Sequence, residues 1–156
     1  ICNIPENNRN DLISNSCHIV SILLFLFGDL ILQKKIESKN FINIFLKSSG
    51  AKISLFFNFK SSENFSIKIY DKKRVYQLSP IEVLKIFDGI KVKNIKGLNF
   101  YEPKKVLQQI ENFKNLKPGF YLQYMSFYKF IRTGKNDSDI LFAKKVIKLI
   151  KKILQN

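Results

Sequence analysis

The sequence has few of the residues that build metal, disulfide and nucleophilic sites. Its 156 residues include one histidine, two cysteines and no tryptophan. Cys2 and Cys17 are too few for a disulfide framework, and their spacing is not that of a metal-binding knuckle. With a single histidine in the chain, a zinc site built by the protein is close to excluded. The low cysteine content is typical of a reducing compartment, so we expect a cytoplasmic location.

Long apolar runs and glycine-rich motifs are missing as well. The apolar run 17–28 is shorter than the roughly 20 residues that a membrane span requires. We therefore expect a buried core helix there and no membrane partner. The six glycines are scattered and form neither a dinucleotide-binding nor a phosphate-binding loop. The sequence contains no Gly-x-Ser-x-Gly elbow, and its carboxylates are not paired at a spacing diagnostic of a glycosidase.

The charge is strongly one-sided, with 27 basic against 12 acidic residues and a net charge of +15. Such a balance is typical of proteins with an anionic partner. The lysines, however, occur in every segment, and alanine occurs only at Ala51 and Ala143. This composition favours an A+T-rich coding sequence over a surface selected for nucleic acid or membrane, so we expect no nucleic-acid partner. A negatively charged small substrate, such as a nucleotide-linked sugar, would fit either interpretation.

The periodicity of apolar residues predicts one domain that mixes a sheet with helices. The 46% hydrophobic content is sufficient for a packed core. The run 16–27, followed by Gly28, predicts a buried helix. Alternating stretches then predict strands, and the short turn-like breaks between them favour antiparallel neighbours. The predicted strands are FINIFLKS (41–48), AKISLFFNF (51–59), FSIKIYD (65–71), RVYQLS (74–79) and EVLKIFDGIKVK (82–93).

Two further helices are predicted at the C-terminal end of the chain. Pro118 suits a first helical turn, and Gly134 is expected to end that helix. The last helix is expected to be capped by Asp137 or Ser138. Its predicted apolar stripe consists of Ile140, Ala143, Ile147, Ile150 and Leu154. The fold class that follows is α+β: an open antiparallel sheet, mostly a meander of about five or six strands, covered on one face by helices.

His18 is the only residue that suggests proton transfer. It stands at the head of the apolar run 16–27, with Ser14 and Asn15 one helical turn earlier. A histidine at a helix end is more often bonded to a neighbouring backbone group than catalytic, and Asn and Ser are also common helix caps. A Cys17–His18 dyad is not expected, because adjacent side chains on a helix point in different directions.

The order of several motifs resembles the C-terminal half of the Gfo/Idh/MocA oxidoreductases. These motifs are NSCHIVSILLFLFGD (15–29), a meander ending in YQLSPIEVLKIFDGIKV (76–92), LKPGFYLQYMSFYKFI (116–131) and DILFAKKVIKLIKKIL (139–154). The resemblance extends from about residue 11 to the end of the chain. Its similarity is strongest to the bacterial sugar-modifying branch, on the Leu-x-Pro-Ile-Glu segment 78–82 and the Lys-Pro-Gly-Phe segment 117–120.

The resemblance implies a two-domain enzyme in which this chain is the substrate and oligomerisation domain. The missing N-terminal Rossmann domain would bind NAD(P), so no cofactor and no turnover are expected for this chain alone. His18 corresponds to the family histidine that relays a proton to or from a sugar hydroxyl. Ser14 and Asn15 are candidate substrate contacts, as are Tyr121 and Gln123, and no metal ligand is predicted. The open sheet face is expected to join copies of the chain into a homo-oligomer.

Two positions depart from the family pattern. Ser14 stands where the family often has an aspartate one turn before the histidine, and Ser21 replaces the aspartate three residues after it. A carboxylate that would orient His18 is therefore missing. The alternative function is a stand-alone basic α+β module that binds an anionic partner.

Overall fold

The computed structural model describes residues 1–6, 16–59, 62–110, 119–135 and 140–155. These residues form eight strands and three helices. The strands are β1 Cys2–Glu6, β2 Ile31–Glu37, β3 Phe41–Lys47, β4 Lys52–Phe59, β5 Ser66–Tyr70, β6 Arg74–Leu78, β7 Val83–Ile95 and β8 Leu98–Ile110. The helices are α1 Ser16–Phe27, α2 Phe120–Thr133 and α3 Ile140–Gln155.

All eight strands belong to one sheet in the order β2-β3-β4-β1-β5-β6-β7-β8. Two antiparallel runs, β2 to β4 and β5 to β8, are joined at the centre by β1. This strand pairs parallel to β4 and antiparallel to β5. The α+β class and the mainly antiparallel sheet are therefore as predicted.

The sheet has more strands than the five or six expected, because three strands carry weak sequence signals. The segment that forms β1 is short and contains Pro5. The polar strand β2 lies at one edge of the sheet, and Pro103 interrupts the pattern of β8 at the other edge. Proline cannot donate to a ladder and is tolerated on edge strands, so its presence in β8 fits the edge position.

One face of the sheet is packed and the other is open. The even-numbered side chains of β3 and the odd-numbered side chains of β4 are buried, as the alternation predicts. They meet the buried side of α1 in a single hydrophobic cluster. On the opposite face, Phe41 and Phe56 are half-buried, with their ring centroids 5.3 Å apart. We call this second face the open face.

The helices cover the packed face less completely than predicted. Helix α1 contacts β1, and α3 packs against α1. None of the residues of α2 is buried, so this helix does not cover the sheet as expected. The prediction for α3 is also corrected in register: its buried residues are Val146, Leu149, Ile150 and Ile153, and only Ile150 belongs to the predicted stripe. Most apolar residues of α3 lie on the side of the helix opposite its lysines, and the packing partner decided which residues of that side are buried.

The ends of α1 and α2 follow the glycine signals in the sequence. Helix α1 spans the predicted residues, and the N–H of Gly28 donates to the carbonyl of Leu24 at 3.0 Å. Gly134 closes α2 in the same way, with its N–H 2.8 Å from the carbonyl of Phe130. Both glycines have positive φ angles, of 71° and 67°, which favour glycine because it lacks a Cβ. Pro118, Asp137 and Ser138 lie outside the described residues.

Candidate functional site

His18 lies on the solvent side of the first turn of α1. The residues of α1 that face the core are Ser16, Ile19, Val20, Leu23 and Leu24. They recur at intervals of three and four, which places them along one side of the helix. His18 falls between them in sequence and is therefore turned away from the core, where its side chain is exposed. The packing of the apolar run thus positions the histidine without burying it.

The imidazole of His18 is free to react with a ligand. No hydrogen bond or ion pair joins it to any residue in the part of the chain that the structure describes. The first turn of α1 contains no acidic residue, in agreement with the missing carboxylate noted in the sequence. The imidazole therefore retains both ring nitrogens for a proton donor or acceptor from outside this part of the chain.

A partly apolar strip follows His18 along the exposed side of α1. Ile22 lies one turn later and is half-buried, and Phe25 lies one further turn along with 80% of its surface exposed. Residues spaced by three, four and seven positions share one helix face. Phe25 was missed as a site residue, although its spacing of seven from His18 is visible in the sequence. We call His18, Ile22 and Phe25 the His18 strip.

Packing of the hydrophobic core does not bring the other predicted site residues next to His18 among the described residues. Ser14 and Asn15 lie outside the described residues. Tyr121 is half-buried in the first turn of α2, and Gln123 is exposed, with its backbone N–H 3.0 Å from the carbonyl of Gly119. No residue of α2 belongs to the hydrophobic cluster that holds α1. The roles of Tyr121 and Gln123 as substrate contacts therefore stay predictions.

A cavity of about 410 Å³ lies at the far end of α1. Leu23 and Phe27 of α1 line it together with Cys2 of β1, while His18 does not. Phe27 follows His18 by nine residues, which corresponds to roughly 13 Å along a helix axis. This cavity and the candidate proton-transfer residue are thus separate features.

The described residues offer little for metal or thiol chemistry. Within the described ranges, no group of three His, Cys, Asp or Glu side chains could hold a metal ion. Cys2 and Cys17 are free thiols. Burial of Cys2 raises its pKa to about 11, which keeps the thiol protonated at neutral pH. A protonated thiol is a poor nucleophile and a poor metal ligand.

The described residues also lack the glycine-rich turn of a dinucleotide-binding fold. Such a turn lies between a parallel strand and the following helix. Here the only parallel pairing among the described strands joins β1 to β4, and the segment 7–15 between β1 and α1 contains no glycine. None of the described helices combines the length and apolar character that a membrane crossing requires.

No protein-family model and no curated protein matches the chain in sequence. Solved structures do match it in fold. The dehydrogenase MviM from Clostridium difficile superposes with a TM-score of 0.69 at 17% identity, over 99% of this chain and 53% of that chain. A dehydrogenase from Chromobacterium violaceum superposes with a TM-score of 0.64 at 16% identity, over 99% of this chain and 51% of that chain.

The chain shares the fold of one part of these dehydrogenases. It spans about half the length of the dehydrogenases it matches. The resemblance predicted from the motifs is therefore confirmed at the level of the fold. In this fold, α1 bears the histidine, and β1 at the centre of the sheet contacts α1.

Proposed function

We propose that the chain is the substrate-binding and oligomerisation domain of an NAD(P)-dependent oxidoreductase that acts on a sugar or nucleotide-linked sugar. The reaction class is the interconversion of an alcohol and a ketone. The observation that supports this proposal most directly is the exposed His18 at the start of α1, which has no partner among the described residues, within a fold shared with dehydrogenases. The dinucleotide would be held by a separate domain, so this chain alone is inactive in the proposal.

His18 would act as the proton relay. In the direction of oxidation, an imidazole nitrogen accepts the proton of the sugar hydroxyl as the carbonyl forms. In the direction of reduction, the protonated imidazole returns it. The unperturbed pKa of a histidine side chain lies near neutrality, which suits a reversible transfer. The exposed position of the His18 side chain is compatible with this role, because the imidazole must reach a substrate that lies outside the helix.

Substrate contacts would come from the residues that precede His18 and from the start of α2. Ser14, Asn15, Tyr121 and Gln123 supply hydroxyl and amide groups, which suit the hydroxyls of a sugar. Phe25, on the His18 strip, would add an apolar surface beside the ring. Glu102 and Lys91 form an exposed ion pair at 3.1 Å between β8 and β7 and are not among the proposed substrate contacts.

The open face would join two copies of the domain at the end formed by β2, β3 and β4. Phe41, Phe45 and Phe56 are half-buried there, and the Ser54 hydroxyl donates to Asn43 Oδ1 at 2.9 Å. Phe45→Glu should then shift the chain toward monomer in sedimentation velocity, while Tyr124→Glu on α2 should not. An effect of Tyr124→Glu with none of Phe45→Glu would place the contact on α2 rather than on the open face.

The cytoplasm is the proposed location of the protein. The first test of the proposed activity is to determine the complete reading frame. The two free thiols are compatible with a reducing compartment. The DNA immediately upstream of the Ile1 codon should encode an in-frame strand, glycine loop and helix. A start or stop codon directly upstream would instead favour the alternative function, a basic module for an anionic partner. Four exposed lysines on α3, Lys144, Lys148, Lys151 and Lys152, are the observation that supports that alternative.

The complete enzyme would then test His18 directly. His18→Gln should lower kcat for hydride transfer by about 100-fold or more. Lys39→Gln, an exposed change in the β2–β3 turn, is the matched control and should leave kcat unchanged. A His18→Gln enzyme with native kcat would exclude the proton-relay role.

A further inference from the structure

A second concave surface lies on the open face, between the β5–β6 hairpin and a bend in the outer strands. Its volume is about 440 Å³, within the range of small-molecule sites. The bend arises where the β7–β8 register shifts between Phe87 and Ile90, which leaves Gly89 unpaired at a φ of 71°. A bulge of this kind turns the strand out of the sheet plane. Ile90 and Pro103 thereby form one wall of the cavity.

The floor of this cavity is a row of three apolar side chains. Tyr70 is paired with Val75, and Val75 is paired with Phe87, so the three lie side by side across three strands. Directly paired residues share one face of a sheet. Ile67, three positions before Tyr70, is buried in the core, so Tyr70 belongs to the open face. The floor therefore offers aromatic ring surface to a ligand. Tyr70 has 60% of its surface exposed.

Three unpaired ammonium groups surround this floor. Lys68 lies one row away on the same face, and Lys72 and Lys73 lie in the hairpin turn. No ion pair or side-chain hydrogen bond joins these ammonium groups to any described residue. The one acidic residue among the lining residues is Asp71, whose Oδ1 accepts a hydrogen bond from the backbone N–H of Lys72 at 2.7 Å.

Arg74, also in the lining, is already paired. Its Nε donates to Asp88 Oδ2 at 3.0 Å, and this contact raises the pKa of Arg74. The site therefore combines a ring surface with an excess of positive charge that no described residue neutralises. A ligand that satisfies both features has a flat ring and an anionic group.

We infer that this cavity is a binding site for a nucleotide, with the base stacked on Tyr70 and Phe87 and the phosphate held by Lys68, Lys72 and Lys73. Base stacking on aromatic side chains and lysine contacts to phosphate are the two interactions that such ligands use. The site lies on the sheet face opposite α1 and His18. It is thus separate from the proposed reaction site, and it does not depend on the proposed function.

Calorimetric titration of the full chain with AMP and with inorganic pyrophosphate tests the site. Pyrophosphate carries the charge but has no base. Lys68→Gln should weaken the binding of both probes by about fivefold or more, because it removes an ammonium group from the phosphate contact. Tyr70→Ala should weaken AMP by about fivefold or more and leave pyrophosphate unchanged, because only AMP has a ring to stack. Both residues are exposed, so circular dichroism should show native folding of both variants.

Lys39→Gln in the β2–β3 turn is the matched control, since it removes the same charge from another exposed part of the chain. An equal loss of AMP affinity in Lys39→Gln and Lys68→Gln would show that the affinity responds to net charge only, and would overturn the site. Unchanged AMP affinity in Tyr70→Ala, or no AMP binding up to about 10 mM, would overturn it as well. Titration with a short oligothymidylate distinguishes a free nucleotide from single-stranded nucleic acid. If the oligothymidylate binds more tightly than AMP, and its affinity still depends on Lys68 and Tyr70, the same site is assigned to single-stranded nucleic acid.

Discussion

The half of the sheet formed by β1, β3 and β4 is packed, whereas the outer half formed by β7 and β8 is largely exposed. Ile44 and Leu55, on β3 and β4, have 0% exposed surface, while Ile90 on β7 is 69% exposed. Strands in both halves alternate apolar with polar residues. The difference lies in the helices, because α1 and α3 join the cluster over the first half and α2 has no buried residue.

This contrast shows that alternation specifies a strand but not its burial. The outer half and α2 expose many large apolar side chains, including Val92, Tyr101, Tyr124 and Phe127. Contiguous apolar surface of this kind is typical of regions that contact other protein. The free energy of folding of the isolated chain should therefore come mainly from the packed half.

The largest expected effect is that of a cavity in the packed half. Leu55→Ala should lower the free energy of unfolding by about 2–5 kcal/mol, because its neighbours in the cluster cannot collapse fully into the space. Ile90→Ala, on the outer half, should lower it by less than about 0.5 kcal/mol. Urea unfolding followed by circular dichroism measures both. Similar losses for the two variants would remove the contrast between the halves.

The pH dependence of stability should report the burial of Cys2 in the packed half. Burial raises the pKa of this thiol from an ordinary value of 9.0 to about 11. A raised pKa contributes stability that is fully present below the ordinary pKa and is lost as the pH rises toward 11. The free energy of unfolding should fall by about 2–3 kcal/mol between pH 8.5 and pH 11 relative to a Cys2→Ala chain.

A parallel pH dependence of the native and Cys2→Ala chains would contradict this prediction. Alkylation by iodoacetamide gives an independent measurement. In the folded chain, Cys17, which is half-buried, should react faster than Cys2 at pH 8.

Two helix-ending glycines allow a sharper test with matched changes. Gly28→Ala and Gly134→Ala each place a Cβ at a positive φ where no other atom lies within 4 Å, so the strain is a backbone effect alone. Gly28 closes α1, which is packed, and its replacement should cost about 1 kcal/mol in global unfolding. Gly134 closes α2, so its replacement should lower local helix content while global unfolding changes by less than about 0.3 kcal/mol.

Gly50→Ala is the control for these two variants, since its φ is not in the left-handed region and its surroundings are open. Its effect on unfolding should be close to zero. A global cost of Gly134→Ala equal to that of Gly28→Ala would show that α2 folds cooperatively with the core.

The smallest expected effect concerns the ion pair that joins α3 to the residue after the end of α1. Lys145 Nζ on α3 lies 3.3 Å from Asp29 Oδ1 after α1, and both side chains are mostly exposed. Exposed pairs of this kind contribute little, so Lys145→Ala should change the free energy of unfolding by less than about 0.5 kcal/mol. A double-mutant cycle with Asp29→Ala at 50 mM and 500 mM salt measures the pair itself. A coupling above about 1 kcal/mol would contradict this assignment.

Much of the fold was predictable from local patterns. The bounds of α1 followed from an apolar run between Ser16 and the Gly28 stop, and both faces of β4 followed from strict alternation. The two edge strands, β2 and β8, and the central β1 were missed for different reasons. The edge strands lack a buried face to impose alternation, whereas β1 contains Pro5, a residue that argues against a central strand.

The candidate site was predictable only in part. His18 was identifiable because it is the only histidine and the motif around it resembles a known family. The exposure of His18 and the position of Phe25 on the same helix face became known only from the side of α1 that packs against the core. The cavity floor of Tyr70, Val75 and Phe87 could not be predicted, because it depends on the pairing register of three strands.

The sequence by itself determined the three helices, strands β3 to β7, and where α1 and α2 end, since periodicity and glycine positions act within a few residues. Only the tertiary structure decided that β1 enters the sheet between β4 and β5, which stripe of α3 is buried, and that His18 faces solvent. Each of these outcomes depends on contacts between residues far apart in the chain. Local propensity carries no information about such contacts, because their free energy appears only when distant surfaces meet.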